Sequence, residues 1–161
     1  MKEEPTMKES YVSMELGTKP ILLVLNEIGL SRVILESKNF PIGVVNDSGI
    51  IAKEVKTNMK EYLLYGVPLK IPVDTSLVTS FQSKVFTGLE QATVRGNTIS
   101  YGQLAEHLGN RKMARAVGTA LAKNPLPLVY PCHRVINSDG RIGNFLGGKE
   151  MKEYLLGLER L

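Results

Sequence analysis

A segment with two prolines, residues 66–74 (GVPLKIPVD), separates two parts of this chain whose hydrophobic patterns differ. Before this segment, the short β-branched runs at 20–25 (PILLVL) and 32–35 (RVIL) are typical of strands. After it, apolar residues recur at helical spacing. We therefore expect an α+β chain with two domains. A small strand-rich α/β domain with its linker is predicted over 1–75, and a mainly helical domain over 76–161.

The rest of the first part predicts a hairpin, one more strand and one helix. Residues 26–29 (NEIG) predict the connection between the first two strands, and 41–45 predict a further strand that the turn-like run 46–49 (NDSG) closes. A helix is indicated by a stripe of Ile51, Val55, Met59, Tyr62 and Leu63. Gly66 predicts the end of that helix. The polar start, residues 1–10, is expected to be a frayed tail.

Two capping-box patterns predict helix starts in the second part. Thr79 is followed three residues later by Gln82, and Ser100 by Gln103, and an apolar stripe follows each pair. A last helix is predicted over 149–161. Its buried face is predicted to consist of Met151, Tyr154, Leu155 and Leu158.

A further helix is expected from about residue 111 to 122, directly after a tight turn at Gly109. Two helices joined by such a short turn indicate a helix-turn-helix. Gly118 inside this helix costs about 1 kcal/mol relative to alanine, so its presence needs a reason. Close approach to another backbone, such as a DNA strand, is one reason, and helix packing inside the core is the other.

The excess positive charge of the chain lies in its second part. Residues 76–161 carry 11 Lys and Arg against 6 Asp and Glu, whereas residues 1–75 carry 9 against 10. Because Lys and Arg contacts to phosphate supply most non-specific affinity for nucleic acid, this asymmetry favours a polyanionic partner. A solvated basic face would give the same counts.

Cys132 is the only cysteine in the chain, which excludes an internal disulfide and a zinc site of the multi-cysteine kind. A lone thiol is usually inert packing, whereas a nucleophilic thiol needs a nearby base that a third group holds in place. His133 is adjacent, but neighbours on an extended chain point to opposite faces, so a bridging water would carry the proton. Glu159 is the candidate carboxylate that orients this base, although on its own a solvated Glu159 is the simpler interpretation.

Four motifs that follow one another along residues 79–159 together resemble the O6-alkylguanine-DNA alkyltransferases. They are SYGQLA at 100–105, RAVGTAL at 115–121, PCHRV at 131–135 and GNFLGG at 143–148. The resemblance implies an RNase H-like N-terminal α/β domain followed by a helical domain with a helix-turn-helix. It also implies single-turnover transfer of the alkyl group from O6-alkylguanine, and less readily from O4-alkylthymine, to a cysteine of the protein itself.

The resemblance implies a catalytic role for five residues. Cys132 accepts the alkyl group, His133 acts as a base through a water molecule, and Glu159 orients that histidine. Tyr101 donates a hydrogen bond to the leaving guanine. Asn124 braces the segment between the recognition helix and the active site.

The resemblance also implies how DNA is bound. Arg115 enters the base stack and fills the space that the flipped-out nucleotide leaves. The other implied DNA-binding residues are Arg111, Gly118, Thr119 and Ala122, and the implied substrate pocket consists of Val135, Leu146 and Gly147. Leu146 stands where relatives often carry serine or arginine, which leaves the range of accepted alkyl groups open.

No metal and no other cofactor is expected, because Cys132, His107 and His133 are too few for the zinc site of some relatives. The expected partner is double-stranded DNA bound through the minor groove by a monomer, without a membrane or an obligate protein partner. The chain has no apolar run of membrane-spanning length and no secretory leader, which predicts a cytoplasmic location, or a nuclear one in a eukaryote. A non-catalytic sensor of alkylated DNA, a helix-turn-helix regulator and a cysteine hydrolase are the alternatives.

Overall fold

The computed structural model of this chain describes residues 8–43 and 49–160. Within these ranges a small N-terminal sheet and one long helix precede a mainly helical C-terminal part. The N-terminal elements are β1 (Ser10–Leu16), β2 (Lys19–Leu25), β3 (Leu30–Ile34) and α1 (Ile50–Tyr65). The C-terminal elements are α2 (Ser80–Ala92), β4 (Ile99–Ser100), α3 (Tyr101–His107), α4 (Ala114–Ala122), β5 (Val135–Ile136) and α5 (Lys149–Glu159).

The N-terminal sheet is antiparallel, in the order β1-β2-β3. The predicted hairpin connection is confirmed: the side chain of Asn26 accepts hydrogen bonds from the main-chain N–H groups of Ile28 and Gly29 at 2.9 and 3.1 Å. The prediction of a strand over 41–45 is wrong for residues 41–43. These residues form a turn, in which Gly43 has φ +77°. Residues 44–48, with most of the predicted turn, lie outside the described residues.

The segment at 66–74 is more than a linker, because its end pairs with the sheet. Leu30 donates a main-chain hydrogen bond to the carbonyl of Pro72 at 2.8 Å and accepts one from Asp74 at 2.8 Å. Helix α1 ends at Gly66 as predicted, and this glycine lies in the left-handed region at φ +69°. The segment therefore leaves the helix and runs beside β3.

Both predicted capping boxes are present at the starts of α2 and α3. In each, the hydroxyl of the cap accepts from the N–H of the glutamine, and the glutamine side chain accepts from the cap's N–H, at 3.0–3.1 Å. Helix α4 begins at Ala114, later than predicted. The preceding residues, Arg111–Met113, form a 3₁₀ turn, because the side chain of Asn110 accepts from the N–H of Lys112 at 3.0 Å.

Two clusters of buried apolar residues make up most of the core. The first joins the inner face of the sheet to α1, α5 and the residues Leu126 and Leu128. The second joins α2, α3 and α4 to Cys132 and Val135. Because the first cluster draws on residues from both sides of position 75, the domain boundary at that position stays a prediction.

The buried face of α5 differs from the predicted one. Met151, Leu155 and Leu158 are buried as expected, but Tyr154 is 39% exposed and covers Gly17 from outside. The prediction for Tyr154 is therefore wrong, and Lys152, whose side chain is fully buried, takes its place on the inner face.

Arg95, in the segment after α2, joins the ends of two helices. Its guanidinium donates to the main-chain carbonyl of Leu64 in α1 and to that of Leu158 in α5, each at 3.1 Å. The last carbonyls of a helix have no partner within the helix, so this side chain satisfies one from each. The contact fixes the last turn of α5 against the N-terminal part. Across the described ranges, no helix has both the length and the apolar character that crossing a membrane requires.

Candidate active site

A pocket of about 530 Å³ opens between α3, α4 and the glycine-rich segment before α5. Cys132 is one of the residues that line it and is only 4% exposed. The lining residues are Tyr101, Arg115, Gly118, Thr119, Leu121, Ala122, Cys132, Asn137, Gly143, Asn144, Phe145 and Leu146. The pocket therefore gathers most of the residues that the sequence motifs pointed to around one thiol.

The segment that leads to Cys132 is held in a strained conformation. Leu128 lies at φ +77°, which costs about 1–3 kcal/mol for a residue with a Cβ. The hydroxyl of Tyr62 in α1 donates to the carbonyl of Leu128 at 2.8 Å. Asn124 accepts from the N–H of Leu126 at 2.8 Å and donates to the carbonyl of Tyr130 at 3.3 Å. These contacts fix the backbone immediately before the thiol.

The thiol itself is neutral near physiological pH. Burial raises the pKa of Cys132 to about 11, although a hydrogen bond with Asn124 and the charge of Lys152 oppose the shift. A neutral thiol is a weak nucleophile. Chemistry at Cys132 therefore requires a group that removes its proton.

His133 is hydrogen-bonded through Nε2 to Oε1 of Glu159 at 2.7 Å. Burial would raise the pKa of Glu159, but hydrogen bonds from His133 and Arg134 outweigh it and lower the pKa to about 2. An ionised carboxylate can only accept, so Nε2 carries the ring proton. The other ring nitrogen, Nδ1, is buried and has no hydrogen-bond partner among the residues that the structure describes. Nδ1 is thus the nitrogen that is free to take a proton.

Two cations at this site were not predicted, the half-buried Arg134 and the fully buried Lys152. Arg134 binds both oxygens of Glu159, with its Nε 3.0 Å from Oε2 and its Nη2 3.0 Å from Oε1. Lys152 donates to the carbonyls of Val135 and Asn144 at 2.6 and 3.3 Å and so ties β5 to the glycine-rich segment. Its position between Met151 and Leu155 on α5 is the signal that could have revealed its burial.

Burial lowers the pKa of Lys152 to about 8, while the nearby Cys132 opposes that shift. Burial also raises the pKa of Tyr101, and Cys132 adds to the rise. Tyr101 therefore keeps its hydroxyl proton and remains a hydrogen-bond donor at the pocket wall.

Four of the residues predicted to bind DNA lie on α4 beside the pocket, namely Arg115, Gly118, Thr119 and Ala122. The fifth, Arg111, lies outside the pocket lining and is paired with Glu106 at 3.0 Å. A Cβ on Gly118 would lie 3.7 Å from the ring of Tyr101, which is ordinary van der Waals contact. Packing inside the protein therefore does not require glycine at this position.

The three predicted pocket residues lie at different depths. Leu146 lines the pocket. Val135 is fully buried behind it, and a Cβ on Gly147 would come within 2.7 Å of the sulfur of Met151 and 2.9 Å of Leu35. His107 is exposed on the surface, with its Nε2 3.3 Å from Oε1 of Gln91. Residues 8–43 and 49–160 contain no cluster of three or more side chains able to hold a metal ion.

Comparison with known proteins finds a matching family and similar proteins. Residues 80–161 match the family described as 6-O-methylguanine DNA methyltransferase, DNA binding domain. The chain is 34% identical to a methylated-DNA–protein-cysteine methyltransferase of Methanosarcina acetivorans, over 92% of this chain and 97% of that protein.

Two solved structures from Mycobacterium tuberculosis have the same fold. One is an O6-methylguanine methyltransferase, with a TM-score of 0.78 at 27% identity, covering 95% of this chain and 93% of that one. The other is OGT in complex with DNA, with a TM-score of 0.73 at 29% identity, covering 94% and 93%.

The Glu159→Gln variant tests the ionised state of this carboxylate through stability. A pKa of about 2, below the unfolded-state value, means that ionised Glu159 stabilises the fold above about pH 5 and loses that effect as the pH falls towards 2. The difference in free energy of unfolding between wild type and variant should therefore shrink by about 1–2 kcal/mol from pH 5 to pH 3. Urea unfolding at both pH values measures it.

Glu150→Gln is the matched control, because Glu150 lies on the same helix and its ion pair with Lys19 is exposed. Its stability difference from wild type should be small at both pH values. A difference for Glu159→Gln that stays constant from pH 5 to pH 3 would contradict the assignment.

Proposed function

The chain belongs to the 6-O-methylguanine DNA methyltransferase family, and we propose that it repairs duplex DNA by moving the alkyl group of O6-alkylguanine onto Cys132. The observation that carries this proposal is the position of the chain's single thiol. Cys132 lines a pocket beside a buried histidine–carboxylate pair, and α4 contributes an arginine to the same pocket. O4-alkylthymine is the expected minor substrate.

The proposed reaction begins with removal of the thiol proton. Nδ1 of His133 accepts it through a bridging water, and Glu159 stabilises the imidazolium that forms. The sulfur of Cys132 then attacks the alkyl carbon, so that an S–C bond forms while the C–O6 bond breaks and its electron pair stays on guanine. Tyr101 donates a hydrogen bond to the leaving guanine and reduces the cost of its negative charge. Asn124 keeps the thiol-bearing segment in place.

Each protein molecule acts once under this proposal. The cysteine sulfur of the thioether is a poor leaving group, so water does not displace it and the alkyl group stays on Cys132. No cofactor takes part, because the thiol supplies the nucleophile and the histidine supplies the base. The protein is then consumed in a one-to-one ratio with the lesions it repairs.

Access to the thiol requires the damaged base to leave the duplex. A stacked base cannot bring its O6 substituent to a buried sulfur, so we propose that the nucleotide is flipped into the pocket. Arg115 fills the vacated space, and Leu146 forms part of the wall that receives the guanine, with Val135 and Gly147 packed behind it. The cost of unstacking, a few kcal/mol, is offset by the inserted side chain and by phosphate contacts.

The small residues of α4 support binding in the minor groove. Since packing inside the protein does not require glycine at 118, close approach from outside accounts for Gly118, together with Thr119 and Ala122. In this proposal α3 and α4 are the helix-turn-helix, and Arg111 contacts the DNA backbone. The three-stranded sheet with α1 is a small version of the RNase H-like domain. The protein acts as a monomer in the compartment that holds the DNA, which is the cytoplasm or, in a eukaryote, the nucleus.

Intact mass spectrometry tests the transfer directly. Incubation with a duplex that carries one O6-methylguanine should add one methyl group per protein molecule, because the thiol is the only acceptor of its kind. Peptide mapping should place the methyl group on Cys132, and Cys132→Ala should gain nothing. Tight binding to the lesion without any gain in mass would contradict transfer and favour a non-catalytic sensor; continued turnover would favour a hydrolase.

The Arg115→Ala variant separates base flipping from chemistry. It should slow methyl transfer from duplex DNA roughly tenfold or more, since about 1.4 kcal/mol of lost stabilisation corresponds to tenfold. Reaction with free O6-benzylguanine, which needs no flipping, should change less than about twofold. Arg32→Ala, on the exposed side of β3, is the control for loss of one positive charge. Equal losses on both substrates would contradict the role of Arg115.

A further inference from the structure

We propose that Arg134 is a positioning residue for the proposed alkyl transfer: by binding both oxygens of Glu159, it limits the pull of that carboxylate on His133 and keeps the imidazole neutral. The inference rests on the proposed function, in which His133 accepts the thiol proton. It concerns a side chain that touches neither the pocket nor the thiol and acts through Glu159 alone.

The three side chains form one buried unit. The side chains of His133, Arg134 and Glu159 are 4%, 13% and 8% exposed. Oε1 of Glu159 accepts from both Nε2 of His133 at 2.7 Å and Nη2 of Arg134 at 3.0 Å. Nε of Arg134 lies 3.0 Å from Oε2 and 3.2 Å from Oε1. The carboxylate is therefore shared between a permanent cation and the proposed base.

The charge on His133 would be different without Arg134. A carboxylate within hydrogen-bond distance of an imidazole favours its protonated form, and desolvation strengthens the attraction because water no longer screens it. A protonated histidine has no lone pair to receive the thiol proton. Since the guanidinium is always charged, it offsets the carboxylate at every pH at which the protein is folded.

Other titratable groups lie on the neighbouring elements. Tyr62 of α1 and Glu90 of α2 interact electrostatically with Arg134, and Arg95 after α2 interacts with Tyr62. Cys132, whose thiol is neutral, interacts with Lys152. Burial raises the pKa of Glu90, and the charge of Arg134 opposes that rise. Among the described residues, only His133 and Arg134 donate hydrogen bonds to the carboxylate of Glu159. The positive charge of Arg134 therefore offsets the negative charge of Glu159 directly.

The test is the pH dependence of single-turnover reaction with free O6-benzylguanine, from pH 5.5 to 9. Arg134→Gln removes the charge and keeps a hydrogen-bond donor, Arg134→Lys keeps the charge, and Arg141→Gln removes an arginine from an exposed ion pair. We expect Arg134→Gln to react roughly tenfold more slowly than wild type at pH 6.5 and within about threefold at pH 8.5. Arg134→Lys and Arg141→Gln should stay within about threefold of wild type throughout.

A merely structural role for Arg134 predicts a different result. The rate of Arg134→Gln would then fall by the same factor at every pH, and that outcome overturns the inference. It is also overturned if the decline in rate towards acidic pH occurs at the same pH in Arg134→Gln and in wild type. If Arg134→Gln does not fold, Arg134→Lys decides: a wild-type profile supports the inference, and a uniform loss overturns it.

Failure of the proposed function is separable from failure of this inference. Wild type that gains no methyl group from a duplex carrying O6-methylguanine contradicts alkyl transfer from guanine, whatever the result with the larger benzyl group. The same variants are therefore also treated with iodoacetamide, which alkylates the single thiol without any repair activity. The same selective loss at pH 6.5 in Arg134→Gln supports the role of Arg134 there, and parallel profiles contradict it.

Discussion

Burial of one thiol is the constraint on which the rest of this structure depends. Cys132 belongs to the apolar cluster formed by α2, α3 and α4, and this environment raises its pKa to about 11. The protein must therefore supply a base inside the same core, and that base must itself be held. His133 and Glu159 fulfil this requirement, with Glu159 kept ionised by its two donors. A buried nucleophile is protected from other electrophiles until a substrate fills the pocket.

The N-terminal part contributes to this site through contacts at a distance from the thiol. Tyr62 of α1 holds the strained backbone at Leu128, and Arg95 joins the end of α1 to the turn of α5 that carries Glu159. The sheet adds a main-chain hydrogen bond from Val33 to the carbonyl of Pro125 at 2.9 Å. The two parts therefore form one scaffold around the active site, which explains why the first core cluster includes residues from both.

Local signals were predictable from the sequence, and distant ones were not. The capping boxes at Thr79 and Ser100 depend on residues three positions apart, so their spacing alone indicated both helix starts. Strand β1 was missed because its mixed composition acquires a buried face only through pairing with β2. Lys152 was missed because the carbonyls that satisfy it belong to other segments. The motifs located Cys132, and Glu159 was named from the sequence. That Arg134 and His133 both bind the carboxylate of Glu159 could be seen only in the three-dimensional structure.

The protonation state of His133 is the most direct test of this account. Nitrogen NMR of protein labelled in its two histidines, with His107→Gln to assign the signals, distinguishes the tautomers and the imidazolium. Because Glu159 accepts a hydrogen bond from Nε2, the account predicts that the ring proton of His133 lies on Nε2 and that Nδ1 carries none. A proton found on Nδ1 would leave the thiol without its base and contradict the account.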